Sequence, residues 1–243
     1  MIALILAAGY GTRLYPLTTH LPKALLPIQG KAILNYIVEK LTVPSVGARE
    51  IVLVSNHRYA EQFQSWFEKE SISGPWTVLD DGSTSEEDRL GSIGDLTFAI
   101  QKHKIHEDLL VVGSDNLFQD GLEGFCDFAR RTSPGLTLGT YKLAATAEAS
   151  RFGVLTVDSS DRITRFEEKP QNPESTLIST AIYFFPAQKL SWVLKYPGLQ
   201  DTLGSFIHWL VPQETVCAYR FSGPWFDIGD VVSYKHAQET FSK

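Results

Sequence analysis

An α/β fold, with a mixed, mostly parallel sheet flanked by helices, is predicted by three features of this sequence. Short apolar runs at residues 2–7, 51–54 and 109–112 have the near-continuous hydrophobicity of strands buried on both faces. Segments with apolar residues at helical spacing alternate with them, at 32–41, 59–69 and 96–103, and such alternation implies a parallel sheet covered on both sides. The second half changes character: 153–157 and 162–167 form a hairpin around Asp158-Ser159-Ser160-Asp161, followed by a long β-rich run at 178–185.

The remaining elements follow in order. A helix is expected over 121–131, another over 203–210, a strand over 216–221 and a closing helix over 231–241, while the polar stretch 80–89 reads as a loop. A chain of 243 residues can bury a substantial core, and no linker-like segment divides it, so one domain over residues 1–243 is expected.

Composition narrows the partners. The formal net charge of −6 argues against wrapping nucleic acid through phosphate neutralisation, although a small anionic ligand needs only a few well-placed cations. Cys126 and Cys217 lie far apart without metal-ligand spacing and are expected to be free thiols, as in a reducing cytoplasm. The apolar amino terminus has no preceding positive residue and is interrupted at Gly9, which speaks against a secretory leader. No stretch approaches the roughly 20 apolar residues of a membrane span.

The first chemical signal is the turn Gly9-Tyr10-Gly11-Thr12-Arg13 after the first strand. It is not the dinucleotide fingerprint, because the third glycine position is Leu14, and that also removes a nicotinamide-dependent oxidoreductase. It is not a phosphate loop either, since no Lys-Ser/Thr pair follows at the required spacing. Its glycines can still turn bare N–H groups toward an anion, and Arg13 offers a planar fork of donors. Read alone, the turn could equally be a strand exit with a solvated arginine. Lys23 shifts that balance: it stands in the stiff, proline-flanked Leu21-Pro22-Lys23-Ala24-Leu25-Leu26-Pro27 and loses little entropy on meeting a phosphate. Asp115, in Gly113-Ser114-Asp115-Asn116, closes another buried strand, and ligands of such sheets gather at strand carboxyl ends.

The run Leu6-Ala7-Ala8-Gly9-Tyr10-Gly11-Thr12-Arg13-Leu14, with Pro22-Lys23-Ala24-Leu25-Leu26-Pro27, resembles the signature of the sugar-phosphate nucleotidyltransferases, of which glucose-1-phosphate thymidylyltransferase is a familiar member. Gly113-Ser114-Asp115-Asn116, Phe152-Gly153-Val154, Glu167-Glu168-Lys169-Pro170 and Trp225-Phe226-Asp227-Ile228-Gly229 continue the likeness in order along the chain.

The resemblance implies a Rossmann-like fold of the nucleotide-diphospho-sugar transferase type. Its nucleotide-binding half would span 1–120 and its sugar-phosphate-binding half 121–243, with no appended β-helix domain. It further implies transfer of a nucleoside monophosphate from a nucleoside triphosphate to a sugar 1-phosphate, with release of pyrophosphate. Arg13 and Lys23 would hold and neutralise the triphosphate, and Asp115 and Asp227 would ligate Mg2+. Leu6, Ala8, Gly9, Gly11, Thr12 and Gly91 would line the nucleotide, while Gly153, Glu168, Lys169 and Thr180 would line the acceptor.

A phosphate monoester, with a second pKa of about 6, is already an anion at neutral pH, so the acceptor needs no general base. None of the six histidines sits in a base constellation. Two departures leave base and sugar open: Leu90-Gly91-Ser92-Ile93-Gly94-Asp95-Leu96 differs from thymidylyltransferase wording, and Ser179-Thr180-Ala181 stands where many relatives carry Thr-Gly. Within enzymes, a cytidylyltransferase acting on phosphocholine or another non-sugar phosphate shares the amino-terminal signature. Outside them, a binding module that keeps the fold would lose charged residues that this chain retains. Homo-oligomers are compatible with the resemblance, and neither a nucleic acid nor a membrane partner is implied.

Overall fold

The first strand, β1 (Ile2–Leu6), sends alternate side chains into two cores: Ala3 and Ile5 into one, Ile2 and Leu4 into the other, all essentially buried. That alternation is what a central strand requires. The computed structural model describes residues 1–198 and 202–241. After β1 come a ribbon of β2 (Pro27–Ile28) and β3 (Lys31–Ala32), helix α1 (Ile33–Leu41), strand β4 (Glu50–Ser55), helix α2 (Ala60–Glu70) and strand β5 (Trp76–Asp80). Helix α3 (Gly91–Lys102), strands β6 (Leu109–Gly113) and β7 (Asn116–Phe118), and helix α4 (Glu123–Thr132) follow. The carboxyl half comprises β8 (Leu136–Lys142), β9 (Gly153–Val157), β10 (Ile163–Glu168), β11 (Leu177–Phe185), α5 (Leu190–Lys195), α6 (Leu203–Leu210), β12 (Val216–Arg220), β13 (Trp225–Asp227) and α7 (Val231–Thr240).

Among the described residues, nine strands form one mixed sheet in the order β10-β9-β11-β6-β1-β4-β5, with β8 joining β11 to β12. β1, β4, β5 and β6 are mutually parallel where they pair, as the strand–helix alternation predicts. β11 runs antiparallel to its neighbours and is the seam of the sheet. Helices α1, α2, α4 and α7 bury Ile37, Phe63, Phe125 and Tyr234 against one face. Helices α3, α5 and α6 bury Leu96, Val193 and Phe206 against the other. Cys126 and Cys217 are buried free thiols, as expected.

The seam matters for function. Ile182–Phe185 of β11 pair with β6, whereas Ile178 pairs with Val154 of β9 on the same edge. Between these partners, residues 179–181 carry a register irregularity against β8. β6 therefore ends, and β9 begins, on either side of a gap along one edge of β11. That gap is a switch point of the sheet, where ligands of α/β proteins bind.

Four details depart from the sequence expectations. Helix α3 begins at Gly91 rather than at residue 96: Gly91, with φ +75°, turns the chain into the helix, and the buried Gly94 stands within it. Both glycines read as breakers from sequence, yet here one serves the entry and the other lies in a packed helix. β5 and β8 are additional sheet strands, and the residue before β8, Gly135, is buried against Thr132 and Thr215. The short β7 and β13 pair antiparallel in a ribbon outside the main sheet. Most of the polar 80–89 stretch is loop, but it is tied down: Asp88 accepts hydrogen bonds from the backbone N–H groups of Thr84 and Ser85 at 2.8–3.1 Å.

Candidate active site

The gap beside β11 opens into a cleft of about 450 Å³ lined by Leu6, Arg13, Asp115, Gly153, Glu168, Lys169, Thr180 and Asp227, among others. Eight residues singled out from sequence, spread over more than 200 positions, thus share one cavity.

Its centre is a pair of carboxylates held by the ribbon. The register sets Asp227 opposite Asn116, and the Ile228 N–H donates to the Asp115 carbonyl at 3.0 Å. The Trp225 indole N–H donates to Asn116 Oδ1 at 2.7 Å and locks the same crossing. Asp115 and Asp227, from opposite halves of the chain, are thereby fixed side by side. Burial first, and then the negative charge of Asp115, push the Asp227 pKa up to about 6 against the lowering pull of Lys23, Arg151 and Arg13. Burial also works against ionisation of Asp115, but the Lys23 ammonium outweighs it and holds that carboxyl below the ordinary range.

Lys23 stands in a short 3-10 turn, Lys23–Leu25, entered from Pro22. Its Nζ donates to Asp115 Oδ2 at 2.8 Å, and its side chain is only 16% exposed. That lysine reaches the site through the carboxylate, not through the cleft wall. Arg13 is exposed at its rim and has no ion-pair partner among the described residues. Its guanidinium lies 3.6 Å from where a Cβ on Gly229 would be, and the Asp227 carboxylate lies 2.9 Å from the same point. A side chain on Gly229 would therefore crowd the Asp227 carboxylate while only touching the Arg13 guanidinium. Gly11, with φ +64°, makes the turn that delivers Arg13, and Thr18 Oγ1 fastens it by donating to the Gly11 carbonyl at 2.7 Å.

The other nucleotide-side residues stand beside the cleft rather than in its wall. Ala8 is buried and its carbonyl accepts from Asn56 Nδ2 at 2.9 Å; Gly9 is exposed, with open space over its Cα. Thr12 and Gly91 flank wall residues, Arg13 and Ser92. On the acceptor side, Thr202 Oγ1 donates to Glu168 Oε1 at 3.1 Å, and the carboxylate lies directly over the bare Cα of Gly204. Lys169 Nζ is 3.8 Å from Glu168 Oε1, on a backbone with φ +48°.

Two acceptor-side residues that border the cleft are also committed to packing. Gly153 lies under the ring of Phe166, so the absence of a side chain there is first a packing requirement. Thr180 is 1% exposed, and its hydroxyl, without a partner among the described residues, lies 2.8 Å from where a Cβ on Gly139 would be, so the residue borders the cleft while its hydroxyl is turned to the core.

Arg151 is a cleft residue that sequence reasoning missed. It pairs with Asp230 at 2.8 Å and lowers the pKa of Asp227. Its only sequence cue is its place next to Phe152-Gly153-Val154. Tyr183, Thr202 and Gly204 likewise carried no sequence signal as site residues, whereas Asn116, Ser179 and Ala181 stood inside quoted motifs without a role of their own.

The arrangement suits a polyanion and a cation together: two buried-side carboxylates, and three basic groups around them. Asp115 Oδ2 is spent on Lys23, but Oδ1 is not, and the Asp227 carboxylate has no hydrogen-bond donor among the described residues. Adjacent, under-coordinated hard oxygens fit Mg2+, which takes one or two carboxylates and fills its shell with phosphate oxygens and water. No group of three or more His, Cys, Asp or Glu side chains gathers among the described residues, so no all-protein cage competes with this reading.

The chain is similar to known proteins in sequence and in fold. The nucleotidyl transferase family model matches residues 2–243. A candidate mannose-1-phosphate guanyltransferase of Sulfolobus acidocaldarius is 30% identical over 93% of this chain and 59% of its own length. The bifunctional protein GlmU of Methanocaldococcus jannaschii is 28% identical over 94% of this chain and 51% of its own. The chain thus spans little more than half of these curated relatives. A crystal structure of UDP-glucose pyrophosphorylase with UDP-glucose superposes with a TM-score of 0.83, at 20% identity and covering 98% of both chains. A candidate glucose-1-phosphate thymidylyltransferase of Bacillus anthracis, crystallised with sucrose, gives 0.81 at 22% identity, covering 100% of this chain and 98% of its own. Both likenesses establish the fold.

Proposed function

We propose, from the premise that this chain belongs to the nucleotidyl transferase family, that it transfers a nucleoside monophosphate from a nucleoside triphosphate to a sugar 1-phosphate and releases pyrophosphate. The observation that carries the reading is the convergence of Arg13, Lys23, Asp115 and Asp227 at one end of a cleft whose other end holds Glu168 and Lys169.

The chemistry follows from those positions. The acceptor phosphate attacks the α-phosphorus in line, the α–β bridging bond breaks, and pyrophosphate leaves with the electron pair. Lys169, exposed and next to Glu168, is placed to bind the acceptor phosphate, and the Glu168 carboxylate to accept from a sugar hydroxyl. Arg13 and Lys23 offset charge on the transferring and departing phosphates, and Arg151 adds a third positive group. Asp115 and Asp227 would hold Mg2+, which when bound supplies Lewis acidity and a template for the phosphate oxygens. The protein's contribution is positioning and fixed charge, with no side-chain base. His57, the histidine paired most closely with a carboxylate, at 2.6 Å from Asp80, is not among the residues lining the cleft.

The test is a matrix of triphosphates (ATP, CTP, GTP, UTP and TTP) against several sugar 1-phosphates and phosphocholine, with pyrophosphate as the readout. Magnesium-dependent release with a sugar 1-phosphate supports the reading. Release with phosphocholine alone replaces the acceptor class, and no release with any pair refutes the reading.

A further inference from the structure

Among the described residues, six other than glycine have positive φ: Gln29, Ser71, Lys104, Asp161, Lys169 and Ala181. Gln29, Ser71, Lys104 and Asp161 stand in turns or at helix ends and carry polar side chains that can bond locally, which is where such backbone is tolerated. Ala181, at φ +56°, is different: it is in the middle of β11 and has only a methyl group. A residue held this way inside a strand is strained, and such strain concentrates where a site uses it. The position is also the switch point, between the β11 residues that pair with β6 and the one that pairs with β9.

The methyl group is at the floor of the cleft. Ala181 is half-buried in its wall, and its Cβ lies 3.3 Å from where a Cβ on Gly113 would be. Asp115 Oδ1 lies 3.0 Å from that same point. The methyl therefore stands beside the carboxylate around which the reacting phosphates gather. Glycine would adopt this backbone without strain and leave a hollow the size of a methyl group. The chain instead fills that hollow.

We propose, resting on the functional reading above, that Ala181 is a specificity-determining residue that limits the acceptor to compact sugar 1-phosphates. On a sugar 1-phosphate, the substituent nearest the reacting phosphate is the one on the ring carbon next to the anomeric carbon. In this proposal a hydroxyl there fits beside the methyl of Ala181, and the bulkier acetamido group collides with it. The expected acceptor class is therefore hexose 1-phosphates with a free hydroxyl at that carbon.

The test compares glucose 1-phosphate with N-acetylglucosamine 1-phosphate, using the triphosphate with the highest turnover, on the wild type, Ala181→Gly and Ala181→Ser. The wild type should prefer the unsubstituted sugar by about tenfold or more in kcat/KM, the scale of a one-methylene misfit. Ala181→Gly should lose most of that preference through faster use of the acetamido sugar, and should melt about 2–4 °C higher as strain is relieved. Ala181→Ser, of similar bulk, should keep the wild-type ratio. An unchanged ratio in Ala181→Gly, or a wild type that prefers the acetamido sugar, overturns this proposal and leaves the functional reading standing. Pyrophosphate release by none of the three proteins, with either sugar, overturns this proposal, and the functional reading falls with it only when no other pair of triphosphate and acceptor releases pyrophosphate.

Discussion

The two ends of the cleft are built by opposite means. The basic groups of the nucleotide end, unlike its carboxylates, are local: Gly11, Arg13 and Lys23 lie within one short stretch, and the backbone turns at Gly11 and Pro22 aim them. The acceptor end is assembled from β10, β11 and α6, with Glu168 seated over Gly204 and steadied by Thr202 from another element. Substitutions at the first end should remove charge and slow the reaction. Substitutions at the second should shift packing and weaken acceptor binding. The difference is one of preorganised charge against preorganised space.

The largest expected effect is at the nucleotide end. Lys23→Ala should lower kcat about a hundredfold or more, the scale of losing one fixed charge at a transition state, while the acceptor KM changes little. Normal turnover in that variant would break the comparison at its stronger side. Next, Gly204→Ala should displace the Glu168 carboxylate, whose position an added Cβ would occupy. It should raise the acceptor KM about tenfold with a smaller change in kcat, a loss of binding shared by ground and transition states. An equal fall of kcat at unchanged KM would show that the acceptor end also acts through the transition state.

How much of this was legible in the sequence follows the same division. Arg13 and Lys23 could be named because glycines and prolines mark their turns within a few residues. Asp115 was marked by the end of an apolar strand. Its meeting with Asp227 depends on the three-residue ribbon of β7 and β13, too short to leave a period in the sequence. β8 was missed although Leu136 and Leu138 alternate with threonine and glycine, because a seven-residue run with Gly139 inside reads as a broken strand. Arg151 has no motif of its own, and Thr180 was placed by likeness while the local bulge turns its hydroxyl to the core. Position along the sheet was readable; the direction of side chains at its seam was not.

Asp95 shows the same limit and supplies the smallest predicted effect. It sits on the buried face of α3, 6% exposed, with Oδ1 lacking a partner among the described residues, as does the enclosed Oδ2 of the half-buried Asp81 nearby. Burial first, and then the charge of Asp81 and the hydrogen bond shared with it, push the Asp95 pKa up to about 8. The folded-state value lies above the unfolded one, so folding favours the protonated acid. That contribution is complete below the unfolded value, near pH 4, and is lost as pH rises toward 8. Asp95→Asn keeps a donor for Asp81 without the titration. It should melt about 3–6 °C above wild type at pH 8, with the gap closing toward pH 4. A constant gap at all pH values would show that Asp95 is already satisfied as an anion.

The account stands on Asp115 and Asp227 sharing one cation under a polyphosphate. Mn2+ titration followed by electron paramagnetic resonance, in the presence of the nucleoside triphosphate that turns over, tests this most directly on wild type and Asp227→Asn. Tight binding of one ion per chain that depends on the triphosphate, weakened about 10–100-fold in the variant, is the predicted result. Equal Mn2+ affinity in the two proteins would contradict it.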